Sequence, residues 1–245
     1  MTLPALSRPV AHSAGLNRPV RQLPALACDA HMHIFAPEFA PSAHWQRTPP
    51  EARVGDYRQL QQRLGTARTV VVTPSTYGTD NACTLDALRQ LGDSARGVAV
   101  VDQDVSDAQL ASLDAQGVRG LRVNFVSPQS WGTTTQQMLV TLAHKLAGSA
   151  WHLQLFAHPD QIIALAPVLK ALPVPLVIDH MGRIDPAEGP LAPAYRVLRG
   201  LLDGGNAWVK LSGAYMRSSV QAPSYADTLP LGRALVQAAP ERLVW

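Results

Sequence analysis

Lysine is scarce in this chain, with three in 245 residues against eighteen arginines, and neither type forms a dense run. Nucleic-acid surfaces rest on clustered basic charge, so a formal net charge of +3 and a pI near 9.1 do not mark one here. Scattered arginine instead suits fork-shaped recognition of carboxylates. Cysteine is scarcer still: Cys28 and Cys83 argue against a disulfide scaffold and for a reducing compartment. No apolar run approaches the length of a membrane span. Leu26-Ala27-Cys28 has the form of a lipoprotein cleavage site, but Arg18, Pro19, Arg21 and Pro24 interrupt the apolar stretch a leader requires. The expectation is a cytoplasmic protein that uses neither membrane nor nucleic acid as a partner; association into a homo-oligomer is left open.

What is present is an ordinary globular α/β composition, 47% hydrophobic and 16% charged, in a length that buries one large core. Residues 1–26 lack periodicity and read as a surface arm; residues 27–245 read as one domain. Strands are expected near Cys28–Phe35, Thr69–Pro74, Arg96–Val101, Val118–Val126, Trp151–Ala157, Leu176–His180 and Ala207–Ala214. Helices are expected between them at Asp56–Leu64, Asp80–Leu91, Ser106–Gly117, Thr133–Leu146, Asp160–Leu172, Ala194–Leu202 and, after the seventh strand, Thr228–Ala238. Ser106 with Gln109 forms a capping-box pattern, and Pro159 suits a first helical turn. Strict β/α alternation with apolar strands predicts a parallel sheet, and Arg242–Trp245 begins an eighth strand. A (β/α)8 barrel, truncated at the start of that strand, follows. The alternative is an open doubly wound sheet, weakened because no glycine-rich phosphate fingerprint follows the first strand.

In a barrel, polar residues at the carboxyl ends of strands converge on one mouth. His31 and His33 stand one residue apart in the first strand, so they share a face while Met32 takes the other. Two imidazoles there can chelate a metal or polarise a carbonyl. Thr73 and Ser75, Asp102, Arg122 and Asn124, Asp179 and His180, and Lys210 and Ser212 end later strands. Asp179 and His180 are adjacent, so strand alternation turns only one of them inward. His180 is the inward choice, because it then joins His31 and His33 around one point.

The segments Asp29-Ala-His-Met-His-Ile-Phe35, Pro74-Ser-Thr-Tyr-Gly-Thr-Asp-Asn81, Gly120-Leu-Arg-Val-Asn-Phe125, Ile178-Asp-His-Met-Gly-Arg183 and Val209-Lys-Leu-Ser-Gly213 together carry a family resemblance. From about residue 27 to the end, the chain resembles the amidohydrolase superfamily. More narrowly, it is similar to the amidohydrolase-related branch that contains 2-pyrone-4,6-dicarboxylate lactonase and sugar-acid lactone enzymes. The resemblance implies catalytic roles for His31, His33 and His180. It also implies an eighth-strand Asp as general base, a few residues beyond Trp245, so the chain is expected to be incomplete before that base.

Metal-holding members of the superfamily add ligands from the fourth or fifth strand, where this chain has Arg122, Asn124 and Phe156. The resemblance therefore implies no cofactor and a metal-independent lactonase. Zinc or another divalent ion, were one bound, would draw on His31, His33 and the displaced His158. Arg122, Arg183 and Arg217 are the expected clamp for a carboxylated lactone, with Ser75 and Tyr77 adding hydrogen bonds. The expected reaction is hydrolysis of such a lactone in aromatic or sugar-acid breakdown. Alternatives are a lactone isomerase, a decarboxylase of the same superfamily, or a dicarboxylate-binding fragment without turnover.

Overall fold

Eight parallel strands run in the order β1 to β8, each hydrogen-bonded to the next. They are β1 Cys28–Met32, β2 Arg68–Val72, β3 Ala95–Ala99, β4 Val118–Asn124, β5 His152–Phe156, β6 Leu176–Ile178, β7 Ala207–Lys210 and β8 Leu243–Val244. These come from a computed structural model of the chain, which describes residues 19–45, 49–127, 132–220, 222 and 224–245. Among the described residues seven α-helices alternate with the strands: α1 Val54–Leu64, α2 Ala82–Leu91, α3 Asp107–Ala115, α4 Gln136–Leu146, α5 Pro159–Ala171, α6 Pro193–Asp203 and α7 Leu229–Ala238. The backbone N–H of Ala30 in β1 donates to the carbonyl of Trp245 just past β8 at 2.6 Å, bringing the last strand round to the first. The architecture is the expected (β/α)8 barrel. Most of the expected arm, residues 1–18, lies outside the described residues, and 19–26 are exposed.

Several ends differ from the sequence reading, each for a local reason. Helix α4 starts at Gln136 rather than Thr133, because the Thr135 hydroxyl accepts from the N–H of Met138 and so takes the cap. Strand β6 stops at Ile178, and β7 at Lys210, where the chain turns into the mouth. The expected Ser106–Gln109 capping box is present: Gln109 N–H donates to Ser106 Oγ, and Ser106 N–H to Gln109 Oε1.

The apolar core lies between sheet and helices. Leu121, Leu153, Leu155, Leu176 and Ile178 of the strands are fully buried, as are Leu139, Ile162, Leu198, Leu202, Leu231 and Leu235 of the helices. Each such side chain contributes about 1.5–3 kcal/mol through burial. Inside the barrel the composition changes. Register pairs Gly120 with His152, Arg122 with Gln154 and Asn124 with Phe156 along β4 and β5. Alternation sends these pairs inward while Leu121, Leu153 and Leu155 face the helices. Barrel interiors are usually packed with Val, Ile and Leu, so a layer of Arg and Gln marks a site below the mouth.

Gly120 is required by this packing. A Cβ there would fall 2.5–2.9 Å from three ring atoms of His152. Gly120→Ala should therefore destabilise the protein by about 1–3 kcal/mol. Urea unfolding checks this, with His152→Ala in the same chain relieving the clash; equal stability of the single variant and the native protein would contradict the packing.

Candidate active site

His31 and His33 leave β1 on the same side, with their Nε2 atoms 3.3 Å apart. Nδ1 of His33 donates to the carbonyl of Val72 at the end of β2, 2.7 Å away, which anchors the ring. His180 reaches the same point by another route. After β6 the chain enters a left-handed turn in which His180, Met181, Gly182 and Arg183 all have positive φ. That conformation is costly for residues other than glycine and persists only where surrounding structure holds it. Here it brings the His180 ring to 4.6 Å, centre to centre, from that of His31, with His180 Nδ1 and Ser212 Oγ hydrogen-bonded at 2.8 Å. Gly213 makes room, since a Cβ on it would stand 2.8 Å from His180 Cβ.

The same turn corrects the expectation that Asp179 faces away. The strand has ended before it, so strand alternation no longer applies, and Asp179 is buried to 1% exposure inside the barrel. Its Oδ2 accepts from Arg122 Nε at 2.9 Å and Gln154 Nε2 at 3.0 Å. Its Oδ1 lies 3.3 Å from His31 Nδ1 and 3.7 Å from Lys210 Nζ, without a hydrogen-bond partner. Lys210, reaching in from β7, donates to Ala30 O at 2.9 Å and Gln154 Oε1 at 2.7 Å and lies 3.0 Å from His31 Nδ1. The floor beneath the histidines thus holds two side-chain cations and one carboxylate.

Burial and this positive floor hold the rings neutral. Desolvation, then the charge of Arg122, push His33 down to about 4; desolvation outweighs the pull of Asp179 and takes His180 to about 4 as well. His31 is held well below the usual histidine range, chiefly by burial. Asp179 stays ionised despite its burial, its carboxyl held well below the usual range chiefly by the charges of Arg122 and Lys210. Each imidazole binds its proton less tightly folded than unfolded, so the unfolded chain takes up more protons between about 4 and the ordinary value near 6.5. Stability from these rings is complete above that window and is lost as pH falls through it. The urea midpoint should therefore drop steadily from pH 7 to pH 4; a flat profile would contradict neutral buried rings.

The expected carboxylate clamp is only partly assembled. Arg122 and Arg183 both place Cζ over the Phe156 ring, at 4.6 and 5.1 Å, and the Nε of Arg183 is buried without a partner. Arg217 is half-exposed and pairs with Asp185 at 3.0 Å. Ser75 Oγ accepts from Asn124 Nδ2 at 2.7 Å at the rim. Tyr77 is buried with its hydroxyl accepting from the N–H of Ala36, so it braces the loop after β1. His158 stands at the head of α5, outside the histidine cluster, its backbone N–H donating to Gln161 Oε1. Asp102 is exposed, and Thr73 binds Asn81 and Thr84 in the core.

The donors fit a divalent ion poorly. His31, Asp179 and His180 offer ligand atoms within 4.8 Å of one another. The Lys210 ammonium, however, stands beside both His31 Nδ1 and Asp179 Oδ1, where such an ion would sit.

The amidohydrolase family model matches residues 28–245. The chain belongs to the amidohydrolase family. It is 35% identical over 243 residues to a 2-pyrone-4,6-dicarboxylate hydrolase of Comamonas testosteroni, a match covering 95% of this chain and 79% of that one. It is 30% identical to a 4-sulfomuconolactone hydrolase of Rhizobium radiobacter, covering 99% and 81%. A crystal structure from Acinetobacter baumannii with citric acid bound superposes with a TM-score of 0.75 at 28% identity, over 90% of this chain and 82% of that one. Among the described residues of this amidohydrolase, no helix is long and apolar enough to cross a membrane.

Sequence reasoning missed three residues of the barrel floor in their present roles. Gln154 shares the inward parity of Phe156, and Lys210 is the one buried lysine of the three, but neither fact names a partner. Asp179 was hidden by the early end of β6, for which Gly182 is the sole compositional hint.

Proposed function

We propose that this amidohydrolase opens a carboxylated lactone, of which 2-pyrone-4,6-dicarboxylate is the best candidate, by water attack on the ester carbonyl and without a metal. The observation that carries the reading is the convergence of three neutral imidazoles above a floor with two cations and one carboxylate. A lactone carbonyl gains negative charge on oxygen as water adds. N–H groups of neutral imidazoles pointing at that oxygen, over a net positive floor, stabilise it without reorganising. His31 and His180 take this role, while His33, whose Nδ1–H is held by the carbonyl of Val72, turns its Nε2 lone pair to the site. The water's proton goes to a general base, a role the family resemblance gives to an eighth-strand Asp.

Arg183 is the residue best placed to receive a substrate carboxylate, since its Nε has no partner among the described residues. Arg122 orients from below, its Nε committed to Asp179. Arg217 and Ser75 complete the rim once substrate competes for their present partners, and Tyr77 supports the wall. The hydrolase relatives act on lactones by name, and the citrate-bound structure shows that a similar fold accepts a polycarboxylate.

The test is product analysis with 2-pyrone-4,6-dicarboxylate, using the chain and the chain continued through a relative's eighth strand. Ring-opened acid supports hydrolysis. A migrated lactone from a sugar-acid substrate would instead assign an isomerase, and carbon dioxide release a decarboxylase.

A further inference from the structure

We infer that Lys210 is a positioning residue that locks His31 as its Nε2–H tautomer, so that His31 presents a proton, and His33 a lone pair, to the mouth of the barrel. The argument starts from an atom that can only accept. The carbonyl oxygen of Val72 lies 2.7 Å from His33 Nδ1, so the proton of neutral His33 is on Nδ1 and its Nε2 carries a lone pair. The contact of 3.3 Å between the two Nε2 atoms is then a hydrogen bond only if His31 Nε2 donates. That leaves His31 Nδ1 as an acceptor. Lys210 supplies what it needs: an ammonium only donates, and its Nζ stands 3.0 Å from that nitrogen.

The other two protons of the ammonium are used by Ala30 O and Gln154 Oε1, which fix where Nζ sits. Gln154 is fixed in turn, because its Nε2 donates to Asp179 Oδ2. The competing arrangement has His31 Nδ1 donating to Asp179 Oδ1 at 3.3 Å. It would set a proton against the Lys210 ammonium and leave the two Nε2 lone pairs facing each other. The contact of His31 Nδ1 with Lys210 Nζ, at 3.0 Å, is shorter than its contact with Asp179 Oδ1, at 3.3 Å, which agrees with the first arrangement. Burial lowers Lys210 only to about 8, so the ammonium persists at neutral pH.

The catalytic consequence rests on the lactone-hydrolysis reading; the tautomer does not. With Nε2–H fixed, His31 is the donor that meets the developing oxyanion. His33 accepts from it in the resting protein and can accept from the attacking water. A histidine whose tautomer is set by a buried neighbour loses much of its function when that neighbour is removed, although the fold remains.

The experiment is 15N NMR of the histidine-labelled 245-residue protein at neutral pH, with His31 assigned by difference from His31→Gln. The expected spectrum shows His31 with a protonated Nε2 and a pyridine-type Nδ1. A protonated Nδ1, an imidazolium, or an averaged pair of shifts would overturn the inference. In Lys210→Met the Nδ1 proton should appear, bonded to Asp179, and kcat in the active protein should fall about 100-fold with KM changed less than about 2-fold. A folded Lys210→Met with the His31 tautomer unchanged would equally overturn it. Should that variant not fold, the native spectrum decides alone. Because the spectrum needs no substrate, a chain that hydrolyses no lactone but shows the Nε2–H tautomer refutes the functional reading and leaves the tautomer standing.

Discussion

Asp179→Ala should lower the free energy of unfolding by about 3–5 kcal/mol, the largest stability loss expected from any single change in this barrel floor. The reason is charge left behind. Arg122 is 5% exposed and Lys210 3%, so neither can reach water when the carboxylate is removed. Gln154 loses its acceptor as well. The loss is one of broken pairing, not of an attraction that is large in itself, because a buried ion pair replaced by apolar groups is often neutral. Arg122→Met added to Asp179→Ala should therefore restore part of the stability. Urea unfolding followed by circular dichroism measures both. A loss below about 1 kcal/mol in the single variant, or a further loss in the double one, would show that the floor is not held by this pairing.

His180→Ala should act on the opposite quantity. The ring is 7% exposed, packs edge-on to Phe156 and faces His31, while its anchor is the single hydrogen bond to Ser212 at the rim. Truncation opens space toward the mouth, which water can fill, so folding should change little. Turnover should fall by about 1000-fold or more, because one of the two imidazoles that donate to the carbonyl oxygen is lost where charge develops. Rates near those of the native protein would remove His180 from the mechanism. The left-handed turn that delivers this ring is a separate cost the fold bears, and Gly213 is the neighbour that permits it.

The barrel was legible because its signals are repetitive. Apolar strand runs recur between amphipathic segments, and their parallel order follows from the alternation alone. The shared face of His31 and His33 was equally legible, being a consequence of strand geometry over two residues. Asp179 was not. Adjacent residues in a strand oppose each other, and nothing in Leu176-Val-Ile-Asp-His states that the strand ends at Ile178. Lys210 and Gln154 were illegible for a different reason: they meet across the barrel from β7 and β5, and side chains of that length find partners that depend on the closed shape. Arg217 shows the converse. Its place after a strand end was legible, while its resting partner Asp185, 32 residues away in sequence, was not.

Asp179 also decides how the site is read chemically. A carboxylate beside two histidines resembles a metal centre until its partners are counted. Arg122 and Gln154 take one oxygen, and the Lys210 ammonium stands by the other. On the proposed reading the site is then a set of neutral imidazoles over fixed positive charge, suited to an oxyanion.

The most direct measurement is lactone turnover by the protein after removal of metal with a chelator, set against the same protein reloaded with zinc. The account predicts equal kcat in the two preparations, with bound metal by elemental analysis far below one equivalent in the stripped sample. Turnover that rises in proportion to bound zinc would contradict it.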